Sequence, residues 1–413
     1  MTSAARTSLL FAVFCALIFP RTSSAEIDVT SKTYIRFFRD ARDLQYAPLN
    51  EYVELDGRDQ DQGQWDFHVS AWGAHDFRTT EFGDKTRDEL TYAYLRYSPY
   101  QDKRLLLYAG RHYIFEGVAS EQVDGVSLHW DATPSNGFTL FGGSPVVTAF
   151  DTRGGDAAYG GRVYQRFSNR AELGLSVLYE TNDKARFREE TGVDVWFLPY
   201  RKVEVKGHSY YNNISEGWGE HAYTLRIFPM NKLTISGLYS KTDYDDAFAT
   251  RTLSVFSPDF LGVNETLTKK GGIAEYRFRD GLRGVVDYTN YSYKTMGEAG
   301  YYGAGIIAVI SRTSAGATFH RMEGAADRLR YREARLYAAE DMEGWRLSFD
   351  VINHHYDVPF NDVSDAYSLN GTIRYAISDS LTTNFSVDYS KTPNFLRNTT
   401  ALLNLVYNFK SGR

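Results

Sequence analysis

The sequence predicts an all-β protein, a transmembrane antiparallel up-and-down β-barrel of about 22 strands. Three observations predict this fold. The N-terminal segment has the features of a secretion signal, no later segment is apolar enough to cross a membrane as a helix, and many segments alternate strictly between apolar and polar residues. Strict alternation over about ten residues is typical of a strand in a closed membrane barrel.

Residues 1–25 form the predicted signal peptide. Arg6 supplies a positive charge, an apolar stretch follows over residues 9–19, and small residues over 23–25 suit a signal peptidase. The apolar stretch is shorter than the roughly 20 residues that a membrane-spanning helix needs. The predicted organisation is therefore a signal peptide over residues 1–25 and an outer-membrane β-barrel over residues 26–413. Because few residues separate the cleavage site from the first strand, no N-terminal plug domain is expected.

Composition excludes several functional classes. Cys15 is the only cysteine and lies in the predicted signal peptide, so the mature chain is expected to have no disulfide, no thiol nucleophile and no covalently bound haem. Without Arg6 and Arg21 the chain has 44 basic and 52 acidic residues, a net charge of −8 with histidine neutral. That balance is unlike a nucleic-acid-binding surface. No cofactor, metal site or nucleic-acid partner is predicted.

The alternation is clear near the C-terminus, where Phe385 and Val387 alternate with Asn384, Ser386 and Asp388. The same pattern occurs over residues 173–180, 346–351 and 372–377. A soluble β-sandwich also alternates, but its strands are usually about five or six residues long. Tyrosines also recur at the strand ends, as in the aromatic girdles at membrane interfaces. The pattern therefore favours membrane strands.

Turn lengths predict the topology. Short turns alternate with longer or more variable connections, which include residues 114–121, 182–190 and 244–267. Outer-membrane barrels place short turns in the periplasm and longer loops outside. The strand count is about 22, or about 20 if the first hairpin, formed by residues 28–40 and 46–57, packs elsewhere.

The last strand provides a second indication. Its apolar face comprises Ala401, Leu403, Leu405, Tyr407 and Phe409. This strand resembles the C-terminal strand that the barrel assembly machinery of outer membranes recognises, which implies that machinery as a partner. The usual pattern ends on the aromatic residue, whereas four residues follow Phe409 here.

Glycines and charged residues recur in residues 88–145 in a specific order. Gly110-Arg111 is followed by Glu116-Gly117 and by the run from Gln122 to Val126. This segment resembles the strand–loop–strand near the front of many Gram-negative porins. The resemblance implies a porin embedded in outer-membrane lipid, with a water-filled channel for passive passage of small hydrophilic solutes or ions. The chain more loosely resembles the barrel subunit of porin–cytochrome conduits, which implies, as an alternative, a sheath around multihaem c-type cytochromes with little inward loop.

Charged side chains on the face opposite the apolar one are expected to line the lumen. The predicted pore-lining residues are Arg96, Arg162, Arg166, Arg226, Arg277, Arg346, Arg374, Glu180, Glu275, Asp350 and Asp388. Opposed arginines and carboxylates would form a field that selects hydrated solutes. Alternatively, paired charges would only brace a wet wall. Both interpretations share a polar, water-filled lumen.

A barrel this wide needs an element that narrows it. The longest connection, residues 244–267, is the candidate. Its predicted constriction residues are Asp245, Asp246, Phe256, Asp259 and Phe260. Folded inward against lumen arginines, this acidic and aromatic loop would narrow the pore; the alternative is an external loop over the mouth.

An outer-membrane enzyme of the lipase or protease type is the third alternative. Asp66, His68 and Ser70 share a strand face, but residues two apart on a strand are separated by about 6.6–7 Å, which is too far for a direct proton relay. His354 and His355 are adjacent and point to opposite faces. No catalytic residue is predicted, and an enzyme would require contacts at catalytic distance between neighbouring strands.

Overall fold

A computed structural model describes residues 25–39, 44–59, 64–78, 85–147, 151–152, 156–248, 265–394 and 397–411. The predicted signal peptide lies outside these residues except for Ala25. The expected absence of a plug domain stays a prediction, because residues 1–24 lie outside the described part of the chain.

The described residues form a closed antiparallel β-barrel of 22 strands, which confirms the higher expected count. The strands are β1 (Ala25–Arg39), β2 (Pro48–Asp59), β3 (Trp65–Asp76), β4 (Thr86–Tyr97), β5 (Leu105–Glu116), β6 (Ala119–Thr133), β7 (Asn136–Val147), β8 (Ala158–Phe167), β9 (Ala171–Asn182), β10 (Ala185–Tyr200), β11 (Val203–Asn212), β12 (Gly217–Met230), β13 (Leu233–Asp243), β14 (Thr266–Arg279), β15 (Leu282–Tyr293), β16 (Gly297–Ile310), β17 (Thr313–Gly324), β18 (Tyr331–Met342), β19 (Trp345–Phe360), β20 (Val363–Ala376), β21 (Leu381–Lys391) and β22 (Asn398–Ser411).

Four short elements complete the described structure. The two-residue strands Gln45–Tyr46 and Asp151–Thr152 pair with β1 and β7. A five-residue helix, α1 (Tyr244–Phe248), follows β13, and a single 3₁₀ turn covers Asp327–Leu329. Within the described residues, no helix is long and apolar enough to cross a membrane.

The last strand closes the barrel against the first. β1 pairs antiparallel with β22 from Ile27 opposite Ser411 to Phe37 opposite Ala401, and on its other side it pairs with β2. Closure leaves neither the first nor the last strand with an unpaired edge, whose backbone groups would be costly in lipid.

The two ends of the barrel differ in their connections. At the end that holds Ala25 and Ser411, turns such as 134–135, 201–202 and 231–232 have two residues. The opposite end holds the longest connections, including 148–157 and 244–265. The end with the two termini is therefore the periplasmic one.

Three of the expected longer connections were wrong, at residues 114–121, 182–190 and 357–366. Strands β5 and β6 are joined by the two-residue turn Gly117-Val118, β9 and β10 by Asp183-Lys184, and β19 and β20 by Asn361-Asp362. Asp183 and Lys184 have φ values of 51° and 63°, as both central residues of a type I′ hairpin turn do. The chain is held in tight hairpins at these places because the strand pairing continues up to the turns.

The barrel exterior is an apolar belt. Val163, Leu175, Val286, Phe319 and Leu336 are each more than half exposed and alternate with polar residues that point to the other side, which we call the inner face. An exposed apolar belt on a closed barrel is the surface that outer-membrane proteins present to lipid. The chain is thus a β-barrel of the outer membrane, which confirms the predicted fold and location.

A candidate pore constriction

The hairpin of β5 and β6 leaves the barrel wall before it ends. β4 pairs with β5 only from Ala93–Tyr97 to Leu107–Arg111, and β6 pairs with β7 only from Val123 onward. Residues 112–122 therefore pair only with each other among the described strands. We call this segment the inserted hairpin, because it packs on the inner face of the following strands.

Two opposed glycines allow the hairpin to bend. Gly110 and Gly125 are directly opposite each other, and Gly110 has a φ of +116°, which L side chains rarely adopt. A Cβ atom at Gly110 would lie 2.2 Å from the carbonyl oxygen of Ala93, and one at Gly125 would lie 2.1 Å from that of Gly142. Any side chain at these positions would push the hairpin away from its neighbours.

Side chains at the bend bind the strand edge that the hairpin uncovers. Arg111 forms a bidentate ion pair with Asp124, at 2.7 and 2.8 Å, and its Nη1 donates to the carbonyl oxygen of Leu90 at 2.9 Å. Gln122 donates to the carbonyl oxygen of Thr91. These bonds satisfy backbone acceptors of β4 that have lost their strand partner.

The tip of the hairpin packs on small residues of the inner face. The backbone N–H of Val118 donates to Ser176 Oγ at 3.0 Å. A Cβ atom at Gly192 would lie 2.3 Å from Val118 Cγ1, so the tip occupies the space that a side chain would fill. Beneath the tip, hairpin and wall share one buried apolar cluster, formed by Ile114, Ala119, Val123, Phe141, Ala158 and Leu178.

Arg188 on β10 clamps the hairpin to the wall. Its guanidinium binds Glu190 through two hydrogen bonds, at 2.7 and 2.8 Å. The same group forms an ion pair with Glu121 of the hairpin, and its Nη2 donates to the carbonyl oxygen of Val118 at 3.4 Å. The side chain of Arg188 is 5% exposed and that of Glu190 is fully buried. The clamp is thus a desolvated charge cluster that holds both the turn and the second strand of the hairpin.

A network of arginines and carboxylates lies beside the tip. Arg162 binds Asp194 through two hydrogen bonds, at 2.9 and 2.5 Å, and Glu172 through one at 2.7 Å. Arg166 binds Glu172 at 3.0 Å and Asp131 at 3.2 Å. Each arginine has two acidic partners and Glu172 is shared, so the three carboxylates outnumber the two arginines in a network that braces the wall.

The structure places every predicted pore-lining residue on the inner face. Those with an acidic or basic side-chain partner within 4 Å include Arg96, Arg162, Arg166, Arg226, Glu275, Arg346 and Asp350. Asp388 accepts a hydrogen bond from Ser368 at 2.8 Å. Glu180 is 2% exposed, so it belongs to the packed layer beneath the hairpin and does not contact the lumen.

Arg277 and Arg374 differ from the other predicted arginines. Both are exposed, and neither has an ion-pair partner among the described residues. Each lies directly opposite another arginine, Arg283 and Arg346 respectively. These two positions therefore carry the least compensated positive charge among the predicted residues.

Part of the predicted constriction loop is described. Asp245 and Asp246 lie in α1, which begins with a hydrogen bond from the Asp245 N–H to Asp243 Oδ1 at 3.2 Å. The side-chain amide of Asn212 donates to the carbonyl oxygen of Asp246 at 2.8 Å, so α1 is attached to the outer end of β11. The other predicted residues, Phe256, Asp259 and Phe260, lie outside the described residues, and their role in narrowing the pore stays a prediction.

A second polar cluster crosses strands β15 to β19. Asp287, Gly303, His320, Glu333 and His354 are in register on neighbouring strands. His320 Nε2 lies 3.0 Å from Asp287 and His354 Nε2 lies 2.9 Å from Glu333. No group of three or more His, Asp or Glu side chains in the described residues is arranged to hold a metal ion.

The inserted hairpin was missed from the sequence, although its residues had been singled out. The segment from Gly110 to Val126 was interpreted as an ordinary strand, loop and strand. The signal was the spacing of its glycines, because Gly110 and Gly125 bend the strands and Gly117, with a φ of +61°, makes the turn. Arg188 and Glu190 gave no signal, since their burial depends on the hairpin above them.

Comparisons with known proteins identify the fold. No protein-family model matches the sequence, and no curated protein matches it. The fold is similar to the ferric enterobactin receptor PfeA of Pseudomonas aeruginosa, in a mutant form, with a TM-score of 0.60 at 9% identity over 94% of this chain and 81% of that chain. The siderophore receptor PirA of Pseudomonas aeruginosa has a TM-score of 0.59 at 10% identity over 93% of this chain and 80% of that chain. The translocation pore of the P pilus usher PapC has a TM-score of 0.50 at 9% identity, over 94% of this chain and all of that chain. At these identities the similarity shows the fold alone.

Proposed function

We propose that the barrel is a channel for passive passage of small hydrophilic solutes or ions across the outer membrane, and that the inserted hairpin narrows it. The observation that carries this proposal is the clamp. Arg188 binds Glu121 and the turn while Ile114 and Val123 are buried against the inner face. A hairpin held this firmly inside a polar barrel reduces the cross-section without closing it.

The charges of the inner face have two roles in this proposal. Balanced pairs such as Arg162 with Asp194 brace the wall, because their charges are already compensated. Arg277 and Arg374 lack such partners among the described residues and would attract permeating anions. The channel is therefore expected to favour anions over cations to a modest degree.

The hairpin also bears on the alternative of a sheath around a multihaem cytochrome. That alternative predicts a lumen with little inward chain, whereas residues 112–122 occupy the inner face here. The hairpin thus favours the open channel, and a bound cytochrome remains the outcome that would contradict it.

We further infer that the protein is not an enzyme. Ser209 Oγ lies 2.7 Å from His221 Nδ1, which is within catalytic distance. Ser209 is only 4% exposed, however, and its Oγ also lies 2.6 Å from the hydroxyl of Tyr223. A buried serine that already has two hydrogen-bond partners is a poor nucleophile for an external substrate.

Purification from native outer membranes in mild detergent, followed by absorbance and conductance measurements, tests the proposal. A haem-free protein that forms ion-conducting channels in planar bilayers, and that makes liposomes permeable to small sugars but not to large ones, would support it. A Soret band at stoichiometric intensity would overturn it and support the cytochrome sheath. A haem-free barrel without conductance would also overturn it.

A further inference from the structure

Five consecutive periplasmic turns carry exposed basic residues. These turns connect β8 to β9, β10 to β11, β12 to β13, β14 to β15 and β16 to β17. The basic residues are Arg170, Arg201, Lys202, Lys232, Arg279 and Arg312, and all are exposed. We call this set the basic arc.

Each turn of the arc adjoins a large, exposed apolar side chain at the end of a strand. These side chains are Phe167, Tyr200, Met230, Phe278 and Ile310, and each is at least half exposed. Exposed apolar and aromatic residues at strand ends mark the border of the lipid belt. The basic residues follow them within three positions, so their charges lie at the depth of the lipid headgroups.

The positive charge of the arc is weakly compensated. Arg170, Arg201, Arg279 and Arg312 have no ion-pair partner or side-chain hydrogen bond among the described residues. Asp280 is the acidic residue that lies within the same turns. The whole chain carries a formal net charge of −6, so the arc is a local reversal of the overall charge.

The remaining described rim differs from the arc. The turns after β18 and β20 contain Glu343 and Asp379, and the turn between β6 and β7 contains no charged residue. In the turn after β4, Arg104 lies 3.8 Å from Asp102 and over the ring of Tyr100. Positive charge without an acidic partner is thus concentrated on one side of the periplasmic rim.

We infer that the basic arc binds the phosphate headgroups of anionic phospholipids, such as phosphatidylglycerol, in the periplasmic leaflet. A basic residue near an anionic lipid surface strengthens binding by about fivefold. The position of the arc beside the lipid belt favours lipid over an acidic periplasmic protein. The lipid shell on this side of the barrel is therefore enriched in anionic lipid, whereas the shell beside Glu343 and Asp379 is not.

The test uses the full barrel in nanodiscs made from equal amounts of phosphatidylglycerol and phosphatidylethanolamine. The lipids that stay bound after transfer to detergent are counted by native mass spectrometry. The wild type is expected to retain phosphatidylglycerol in excess, and this excess should fall as salt is raised. The quadruple variant R170Q/R201Q/K202Q/R312Q should lose at least about tenfold of the preference.

The control is the double variant K103Q/R104Q, which removes two basic residues from the same rim, in a turn where Asp102 lies 3.8 Å from Arg104. It should keep the wild-type preference. Heat-modifiable electrophoretic mobility checks that each variant is folded. The inference is overturned if the wild type retains both lipids equally or if the quadruple variant keeps the excess. Binding of poly-L-glutamate to the wild type in detergent, with no lipid preference, would instead assign the arc to an acidic protein.

Discussion

Removal of the Arg188 side chain is the most direct test of the constriction. Arg188→Ala deletes the ion pair with Glu121, the hydrogen bond to the turn and both bonds to Glu190. The strand that carries residue 188 stays paired on both sides, because its backbone bonds to β9 and β11 are unaffected. The substitution should therefore free the hairpin while the barrel stays folded.

The free energy of hairpin release in this variant can be estimated from the burial of the groups involved. Glu190 is fully buried, and removing one member of a buried ion pair costs about 3–5 kcal/mol. The apolar contacts of the tip oppose release, and burial of a Val or Ile side chain contributes roughly 1.5–3 kcal/mol as an upper estimate. These two terms are of similar size, so the variant should spend a measurable fraction of its time with the hairpin released and water around Glu190.

The assay is single-channel recording in planar bilayers. The wild type should show one steady conductance level. Arg188→Ala should show a second, larger level with transitions between the two, because release of the hairpin widens the pore. The control is Arg226→Ala, which removes a 3.4 Å pair with Glu204 on a part-exposed wall. It should keep a single steady level without transitions, since such pairs contribute about 0–1 kcal/mol.

A disulfide between the hairpin and the wall should restore the steady conductance level of the wild type. A Cβ atom at Gly192 would lie 2.3 Å from Val118 Cγ1, so cysteines at these two positions would bring their side chains together. In the Arg188→Ala background, oxidised Val118→Cys/Gly192→Cys should restore the steady level, and reduction should bring back the transitions. A folded Arg188→Ala channel with only the wild-type level would refute the claim that this clamp holds the constriction.

Three further predictions follow from the same geometry. Gly192→Val places a side chain where the Val118 side chain lies and should therefore raise the conductance. The control Gly371→Val, where an added Cβ atom meets nothing within 4 Å, should not raise it. Equal conductance of the two variants would contradict the packing of the tip. Val123→Ala should lower the stability of the inserted hairpin by about 1–3 kcal/mol, which is measured as faster proteolysis of the hairpin in the folded barrel. An unchanged cleavage rate would show that the buried apolar cluster does not hold the tip. Arg277→Glu should move the reversal potential in a salt gradient toward cation preference, and no movement would exclude this position from the conducting path.

The strands could be predicted because a chain of β-strands can satisfy its backbone hydrogen bonds in lipid only as a closed barrel. The alternation near Phe385 and Leu175 determines which side faces lipid, and the pattern of short turns determines the order of neighbours. The ends of the first strand were predicted within about three residues, because it was expected over 28–40 and is found at Ala25–Arg39. The start of β10 was predicted less well, because this strand begins at Ala185, inside the connection expected over 182–190. Local patterns sufficed because each strand pairs only with its neighbours in the chain, apart from the closing pair.

The inserted hairpin could not be predicted from the same patterns. Val123 lies between Gln122 and Asp124, and Ile114 lies between Tyr113 and Phe115. Neither pattern distinguishes a strand that stays in the wall from one that bends inward. The bend depends on contacts between residues far apart in sequence, such as Gly192 with Val118 and Arg188 with Glu121. A glycine on the inner face of a strand indicates close approach, but the sequence does not say what approaches.

For the charged residues, too, the sequence predicts the face of the strand on which a side chain lies but not its interaction partner. The face of each predicted arginine followed from alternation, whereas its partner follows from the register between strands. The register places Arg277 opposite Arg283 and Arg346 opposite Arg374, and like charges directly opposite each other are destabilising. Glu275 relieves the first pair through Arg283, and Asp341 relieves the second through Arg346. Arg277 and Arg374 are thus the members of each pair left to solvent, and an anion in the lumen would supply the charge that these two positions lack.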